Sequence, residues 1–474
     1  MPQQAGADDT QPLTVLPSRW PLIALPILVL LSACGSLPRI VPDMARSAPT
    51  ARIENARGPL SAARSKQIIE GLRSDNQQTD VLERHLALEQ AISDSPLLAG
   101  NKVQLLQDGP ATYAAMFAAI GAARDHINME TYILEDDEVG RQFADALIEK
   151  QRRGVQVNLI YDAVGAIGTP KEFFQRLTDA GVRVTEFNPV NPLTAKAGWD
   201  VNQRDHRKLL VVDGKVAFLG GINISSVYSS GSTVGRRPTA RPGGKQPWRD
   251  THLQIEGPAV AELQKLFLDT WAKQKGEALA AKNFFPVLNP AGPEVMHMIG
   301  SSPDDAYSLI YATLISAINS AEREVLLTNA YFVPDPQLMA SLKDAVARGV
   351  NVQLVLPART DSALVFHAGR SHYSELLRSG IKIYERKNAL LHAKTALIDG
   401  VWSTVGSTNL DWRSFLHNQE LNAVVLGAEF GARMRKAFDD DLAQSQQITL
   451  QEWENRSLDL RVKELFGRLW QYWL

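Results

Sequence analysis

Apolar residues along this chain switch between two periods. From residue 101, NKVQLLQDG has the alternating spacing of a strand, and TYAAMFAAIGAARD has the spacing of a helix. INMETYIL, VQVNLIYD and VRVTEF read as further strands, separated by VGRQFADALIEKQRRG and KEFFQRLTDAG as helices. The order then returns in YSLIYATLISAINSA, EVLLTNAYFV, PQLMASLKDAVARG, VNVQLVLP, SHYSELLRSG and IKIYE. Strands alternating with helices predict an α/β fold with a mixed, largely parallel sheet flanked by helices in each half. The repeat is too long for a solenoid. It predicts two tandem homologous domains, residues 99–285 and 286–474, packed about a pseudo-twofold axis.

The closest repetition lies inside these halves. HRKLLVVDGKVAFLGGIN runs from His206 to Asn223 and HAKTALIDGVWSTVGSTN from His392 to Asn409, with His, Lys, Asp, Gly and Asn in step 186 positions apart. On a strand, His206 and Lys208 share a face, as do His392 and Lys394. Asp213-Gly214 and Asp399-Gly400 each separate two apolar runs, which is a hairpin-turn signal. Each Asp therefore reads as a turn residue that orders its surroundings. The returning strands close on Gly220-Gly221 and Gly406-Ser407, small residues that let backbone approach a ligand. Asn223 and Asn409 follow as amide donors.

A His/Lys pair supplies an imidazole, able to act as nucleophile or proton carrier near neutral pH, and a fixed charge suited to phosphate oxygens. One copy alone would read as structural. Two intact copies in duplicated domains point to one shared site, where two imidazoles face a single phosphorus. One attacks; the other protonates the departing oxygen and later deprotonates the incoming acceptor. The residues themselves do not say which histidine does which. Lys208, Lys394, Asn223 and Asn409 would stabilise the nonbridging oxygens. This chemistry needs no metal and no cofactor, and the chain shows no cluster with metal-ligand spacing.

Charge narrows the substrate. A net charge of −2 over 474 residues argues against a protein that binds nucleic acid by bulk charge. The only cysteine, Cys34, closes PLIALPILVLLSACGS. The apolar run Leu22–Leu31 is shorter than the ~20 residues of a spanning helix and matches a signal-peptide core preceded by Arg19. Leu31 to Gly35 resembles a bacterial lipobox, which makes Cys34 a lipidation site and residues 1–34 an anchor facing the periplasm or cell exterior. An uncleaved inner-membrane anchor and a buried segment are the alternatives. Residues 35–98 read as an aperiodic tether, then helices from Ser61 to Asp94. The insertion Ser229–Trp248, with Arg236, Arg237, Arg241 and Lys245, is either a solvated loop or one that meets anionic phosphate. The C-terminal SLDLRVKELFGRLWQYWL has helical spacing and predicts either a core-docked helix or an interfacial one.

HxKxxxxD, twice, each followed by a Gly-Gly/Ser-x-Asn segment, resembles the phospholipase D superfamily over residues 99–440. NMETYILEDDEVGR, FNPVNPL, WRDTHLQIEGPAV, NAYFVPD and HAGRSHY look like its bacterial cardiolipin synthase branch. That resemblance implies a phosphatidyltransferase that joins two phosphatidylglycerols into cardiolipin and releases glycerol through a phosphatidyl-histidine. A phospholipase D releasing phosphatidic acid is the alternative, and a nucleic-acid phosphodiesterase is disfavoured. It further implies His206 as nucleophile, His392 as acid, and an acidic residue of the same half holding each histidine: Asp250 in WRDTHLQI in the first half, and Glu420 in HNQELNAVV, 28 residues beyond His392, in the second. Glu130 and Asn329 take equivalent places in METYIL and TNAYFV, at strand ends expected to face the site. His252, His367 and His372 fall in branch-like stretches, whereas His85, His126, His297 and His417 read as surface or helix residues. Many members carry two membrane-spanning helices in front, where this chain has one short apolar run.

Overall fold

In the first half, β1 (Leu97–Gln107) leads into α1 (Asp108–Ala122), β2 (His126–Thr131), α2 (Glu138–Arg152), β3 (Gln156–Asp162), α3 (Lys171–Asp179) and β4 (Arg183–Phe187). The hairpin β5 (Lys208–Val212) and β6 (Val216–Gly220) follows, then β7 (Thr251–Glu256) and α4 (Ala259–Lys273). In space the strands run β1-β7-β6-β5-β2-β3-β4.

The second half repeats this. Its elements are β8 (Glu294–Ser301), α5 (Leu309–Asn319), β9 (Glu324–Asn329), α6 (Pro336–Ala347), β10 (Asn351–Pro357), α7 (Ala363–Arg370), α8 (Tyr373–Arg378) and β11 (Lys382–Arg386). Then come β12 (Lys394–Ile398), β13 (Trp402–Gly406), β14 (Asn418–Leu426), α9 (Ala428–Leu442), β15 (Ser445–Ile448) and α10 (Leu458–Leu469). The order is β8-β14-β13-β12-β9-β10-β11, with β15 added beside β11.

This is the mixed α/β sheet the periodicity predicts, with one correction to its balance. Among the strands just named, parallel pairing is confined to β2–β3–β4 and β9–β10–β11; their other pairs are antiparallel. The Asp-Gly turns send β5 and β12 straight back on themselves, so no crossover helix intervenes there.

The structure, a computed structural model, describes residues 37, 52–72, 81–86, 95–191, 199–231 and 247–474. The apolar run Leu22–Leu31, Cys34 and the basic residues of the insertion lie outside them. No described helix is long and apolar enough to cross a membrane. Within the stretch expected to be an aperiodic tether, Ile53–Asn55 pairs in parallel with Leu97 and Leu98. Three residues are too few to show a strand period in sequence.

The halves share one core. β1 and β8 pair antiparallel, Leu98 opposite Met296. A continuous cluster joins Leu209, Leu219 and Phe267 from one side to Met298, Leu397 and Phe430 from the other. A second exchange matters more for function. Arg204–Asp205 pairs with Asn418–Gln419 at the start of β14, and Trp248–Arg249 pairs with Leu390–Leu391. The segment before each HxK thus lies against a strand from the opposite half.

Candidate active site

The chain enters β5 and β12 through these exchanged pairings. The His206 amide donates to the Gln419 carbonyl at 2.9 Å, and the His392 amide to the Arg249 carbonyl at 2.7 Å. The next residue in each case is a carboxylate, Glu420 or Asp250, and it meets the imidazole just positioned. His206 Nδ1 lies 3.0 and 3.1 Å from the Glu420 oxygens; His392 Nδ1 lies 2.7 Å from Asp250 Oδ2. Each histidine is therefore held by an acid from the other half. Sequence spacing locates both acids but assigns each to the histidine of its own half; the exchanged strand pairings reverse that assignment.

The supports differ in detail. Glu420 also accepts from Ser407 Oγ at 2.5 Å and Asn418 Nδ2 at 3.2 Å. Asp250 accepts the Thr251 amide at 2.7 Å. Gly221 stands where the second half has Ser407, and a Cβ there would lie 2.2 Å from Asp250 Oδ1. The shorter acid is matched by the smaller neighbour.

Burial and charge set the protonation states. Burial is the largest influence on His206 and lowers it to about 4, against the opposing pull of Glu420. His392 is lowered for the same first reason, with Lys394 adding to it. Burial alone would raise Glu420 and Asp250, yet each sits below its ordinary value because of its histidine and the nearby lysine, Glu420 at about 2. At neutral pH the imidazoles are uncharged, and each donates a hydrogen bond from Nδ1–H to an ionised carboxylate. Neither Nε2 has a hydrogen-bond partner among the described residues. Each therefore keeps a lone pair available for a phosphorus or a proton.

Lys208 Nζ donates to the His206 carbonyl at 2.5 Å, and Lys394 Nζ donates to the His392 carbonyl. Burial lowers Lys208 to about 7, and Lys394 depresses it further; Lys394 also depresses His206. These cross-influences mark a single electrostatic site. Tyr132 packs edge-on to His206 with centroids 5.0 Å apart, and the Tyr228 hydroxyl is 3.2 Å from His392 Nδ1.

Asp213 and Asp399 lie at the far ends of β5 and β12 from the lysines, at φ 53° and 50°. Asp213 accepts the amides of Arg124, Asp125 and His126; Asp399 accepts those of Glu322, Arg323 and Glu324. They clamp the start of β2 and β9 rather than touch the imidazoles. Asn223 Oδ1 accepts the Ile133 amide while its Nδ2 donates to the Tyr228 hydroxyl. Asn409 is buried with Oδ1 unpartnered.

One expected pair is corrected. Asn329 lies opposite Lys394, but it is Thr131 that lies opposite Lys208, so Glu130 is not the counterpart of Asn329. A one-residue slip reverses faces. Glu130 points away from Lys208 and sits 3.6 Å from Arg207 Nη1. Of the histidines expected at the surface or in helices, His85 lies in the short helical segment Val81–His85, whereas His126 and His297 are buried on β2 and β8. His252 is buried on β7 with neither ring nitrogen hydrogen-bonded, and His372 bonds Gln471 at 3.0 Å.

Sequence reasoning missed Arg249 and Asp441. The Arg249 guanidinium makes two 2.9 Å bonds to Asp441, with Arg386 on the same carboxylate, all buried. Its place next to Asp250 was the available signal.

A duplicated α/β fold with two His–Lys pairs at its seam defines the phospholipase D class of enzymes. The family description "Cardiolipin synthase, PLD-like domain" matches residues 116–230 and 314–442, one stretch per half. A cardiolipin synthase of Halalkalibacterium halodurans is 34% identical over 421 residues, 86% of this chain and 80% of that one. One from a Geobacillus species is 35% identical over 397 residues, 81% and 74% of the two. The chain belongs to the cardiolipin synthase family. The crystal structure of phosphatidylserine synthase from Haemophilus influenzae shares the fold, with a TM-score of 0.60 at 13% identity over 81% of this chain and 99% of that one.

Proposed function

We propose that the site takes a phosphatidyl group from one phosphatidylglycerol and passes it to a hydroxyl of a second, giving cardiolipin and glycerol. The observation that carries this reading is the crossed His–acid pairing, which binds two neutral imidazoles into one unit. His206 Nε2 attacks phosphorus, forming an N–P bond while the P–O bond to glycerol breaks. His392 gives the departing oxygen its proton. An anionic phosphodiester between the imidazoles raises the proton affinity of His392, so it holds that proton when substrate is bound. The acceptor hydroxyl then returns a proton to His392, and its oxygen displaces His206 from phosphorus. Lys208 and Lys394 face the nonbridging oxygens, where charge builds. Glu420 and Asp250 fix the tautomers, as the buried acid of a catalytic triad does.

The same reading holds the enzyme at a bacterial membrane through the N-terminal apolar run, with Cys34 lipidated and the catalytic unit outside the cytoplasm. Purified enzyme with phosphatidylglycerol vesicles should yield cardiolipin and glycerol in equal amounts; phosphatidic acid alone would overturn the transferase reading. His206→Ala and His392→Ala should each remove nearly all turnover, and the double variant should be little worse than either. Substantial turnover in either single variant would refute the two-histidine mechanism.

A further inference from the structure

Helix α10 shows its apolar side to solvent. Glu464 and Gly467 face inward. Gly467 packs so closely on α7 that a Cβ would sit 2.5 Å from the Ala368 amide nitrogen, and Glu464 pairs with Arg456 at 2.8 Å. The other side carries Leu458, Val462, Leu465, Phe466, Leu469 and Trp470, which are 76, 65, 63, 56, 73 and 45% exposed. A helix docked on a globular core normally has the reverse arrangement. An apolar stripe of this length marks a surface that something covers.

Its position says what. The segment after α10 is tied beside the entrance: the Arg413 amide donates to the Leu474 carbonyl at 2.8 Å, and the Arg413 side chain reaches Asn202, just ahead of Arg204 and His206. α7, on which α10 rests, follows the C-terminal end of β10, the same end of the sheet at which Lys394 starts β12. The first half exposes apolar residues at its corresponding end. Ile167 follows β3, and Val190 and Val201 follow β4, at 73, 42 and 48% exposure. The linker carrying exposed Phe285 and Val287 lies at the opposite end, where Phe284 crowds the Asp213-Gly214 turn.

We infer that this face, with α10 as its main element, seats on the surface of an anionic phospholipid bilayer, so that the site opens directly among the headgroups. Exposed apolar residues of both halves lie at the end of the sheets where Lys208 and Lys394 begin β5 and β12. A protein covering both sets would close the site to lipid, whereas a bilayer covers them and supplies the substrate. Trp470, Tyr472 and Trp473 bring aromatic rings suited to headgroup depth, and exposed Arg461 and Arg468 flank the stripe with positive charge. The inference rests on the phospholipid substrate proposed above and adds the surface that presents it.

The test uses full-length enzyme with Val462→Glu, Leu465→Glu and Leu469→Glu together. Turnover of phosphatidylglycerol in vesicles should fall about tenfold or more, while turnover of a short-chain, monomerically dissolved phosphatidylglycerol stays within about twofold. Unchanged vesicle turnover would overturn the inference. Equal loss on both lipids would also overturn it, because α10 would then serve the fold. If the wild type turned over neither lipid, the functional reading would fail and hydrogen exchange would judge the surface separately. Amides of 458–470 slowed by phosphatidylglycerol vesicles would support docking; unchanged exchange would refute it.

Discussion

Placing a methyl group at Gly221 tests the crossed bracing from a distance. The Cβ of Gly221→Ala would lie 2.2 and 2.7 Å from the two Asp250 oxygens and 2.8 Å from Cγ. The carboxylate must retreat by about 1 Å to reach ordinary contact distance. It has little freedom to do so, since it is fully buried and already accepts the Thr251 amide at 2.7 Å. The bond that gives way is the one to His392, also 2.7 Å long. A hydrogen bond to a charged group contributes about 1.5–3 kcal/mol, and a misplacement of ~1 Å near the chemistry can cost about a hundredfold in rate. Phosphatidyl transfer by Gly221→Ala should therefore fall about a hundredfold in kcat while the protein stays folded. The damage should appear at His392, in the opposite half: its Nδ1 proton resonance should move while that of His206 does not. Ser407→Gly, which removes one neutral donor from Glu420, should cost only about tenfold. Near-normal turnover in Gly221→Ala, or a shift at His206 in place of His392, would refute the crossed arrangement.

Two further outcomes follow from the buried charges. His206 is lowered from 6.5 to about 4, so between those pH values the unfolded chain takes up a proton that the folded protein refuses. Stability should fall with pH across that window by up to roughly 1.4 kcal/mol per unit. Glu420, lowered from 4.5 to about 2, extends the loss below pH 4.5 in the same direction. Urea denaturation of wild type and His206→Gln at stepped pH should show a flatter slope for the variant between pH 6.5 and 4.5; identical slopes would refute the assignment. Asp441→Asn removes the carboxylate that Arg249 and Arg386 both bond, which should cost about 3–5 kcal/mol. A loss under about 1 kcal/mol in denaturant unfolding would show that the pair is not what holds them.

Much of this site is local, and the local part was readable. The His–Lys faces follow from strand alternation, and the turn role of Asp213 and Asp399 follows from an Asp-Gly between two apolar runs. The crossing was not readable, because it depends on which strand lies beside Gln419 and Arg249, a pairing across 214 and 142 residues that no window contains. Glu130 was misplaced for a subtler reason. METYIL and TNAYFV look alike in more than one register, and only hydrogen bonding to β5 and β12 decides between them. The proportion of parallel strands was overestimated because helix–strand alternation describes the outer three strands of each half and says nothing of the hairpin. The orientation of α10 is open in the sequence for a similar reason. Helical spacing reveals an apolar stripe but not which way it turns, and here Gly467 and Glu464 decided the packing.

The crossed supports bind the two copies to a shared fate. A homodimer of identical halves would satisfy the same contacts by symmetry, each subunit lending its acid to the other's histidine. Once joined in one chain, the copies were free to diverge, but only in concert. Asp250 beside Gly221 and Glu420 beside Ser407 are two solutions to one fit. A substitution in either half is thus compensated, or not, by residues 142 or 214 positions away. Neither half keeps a complete reactive histidine if the other is lost.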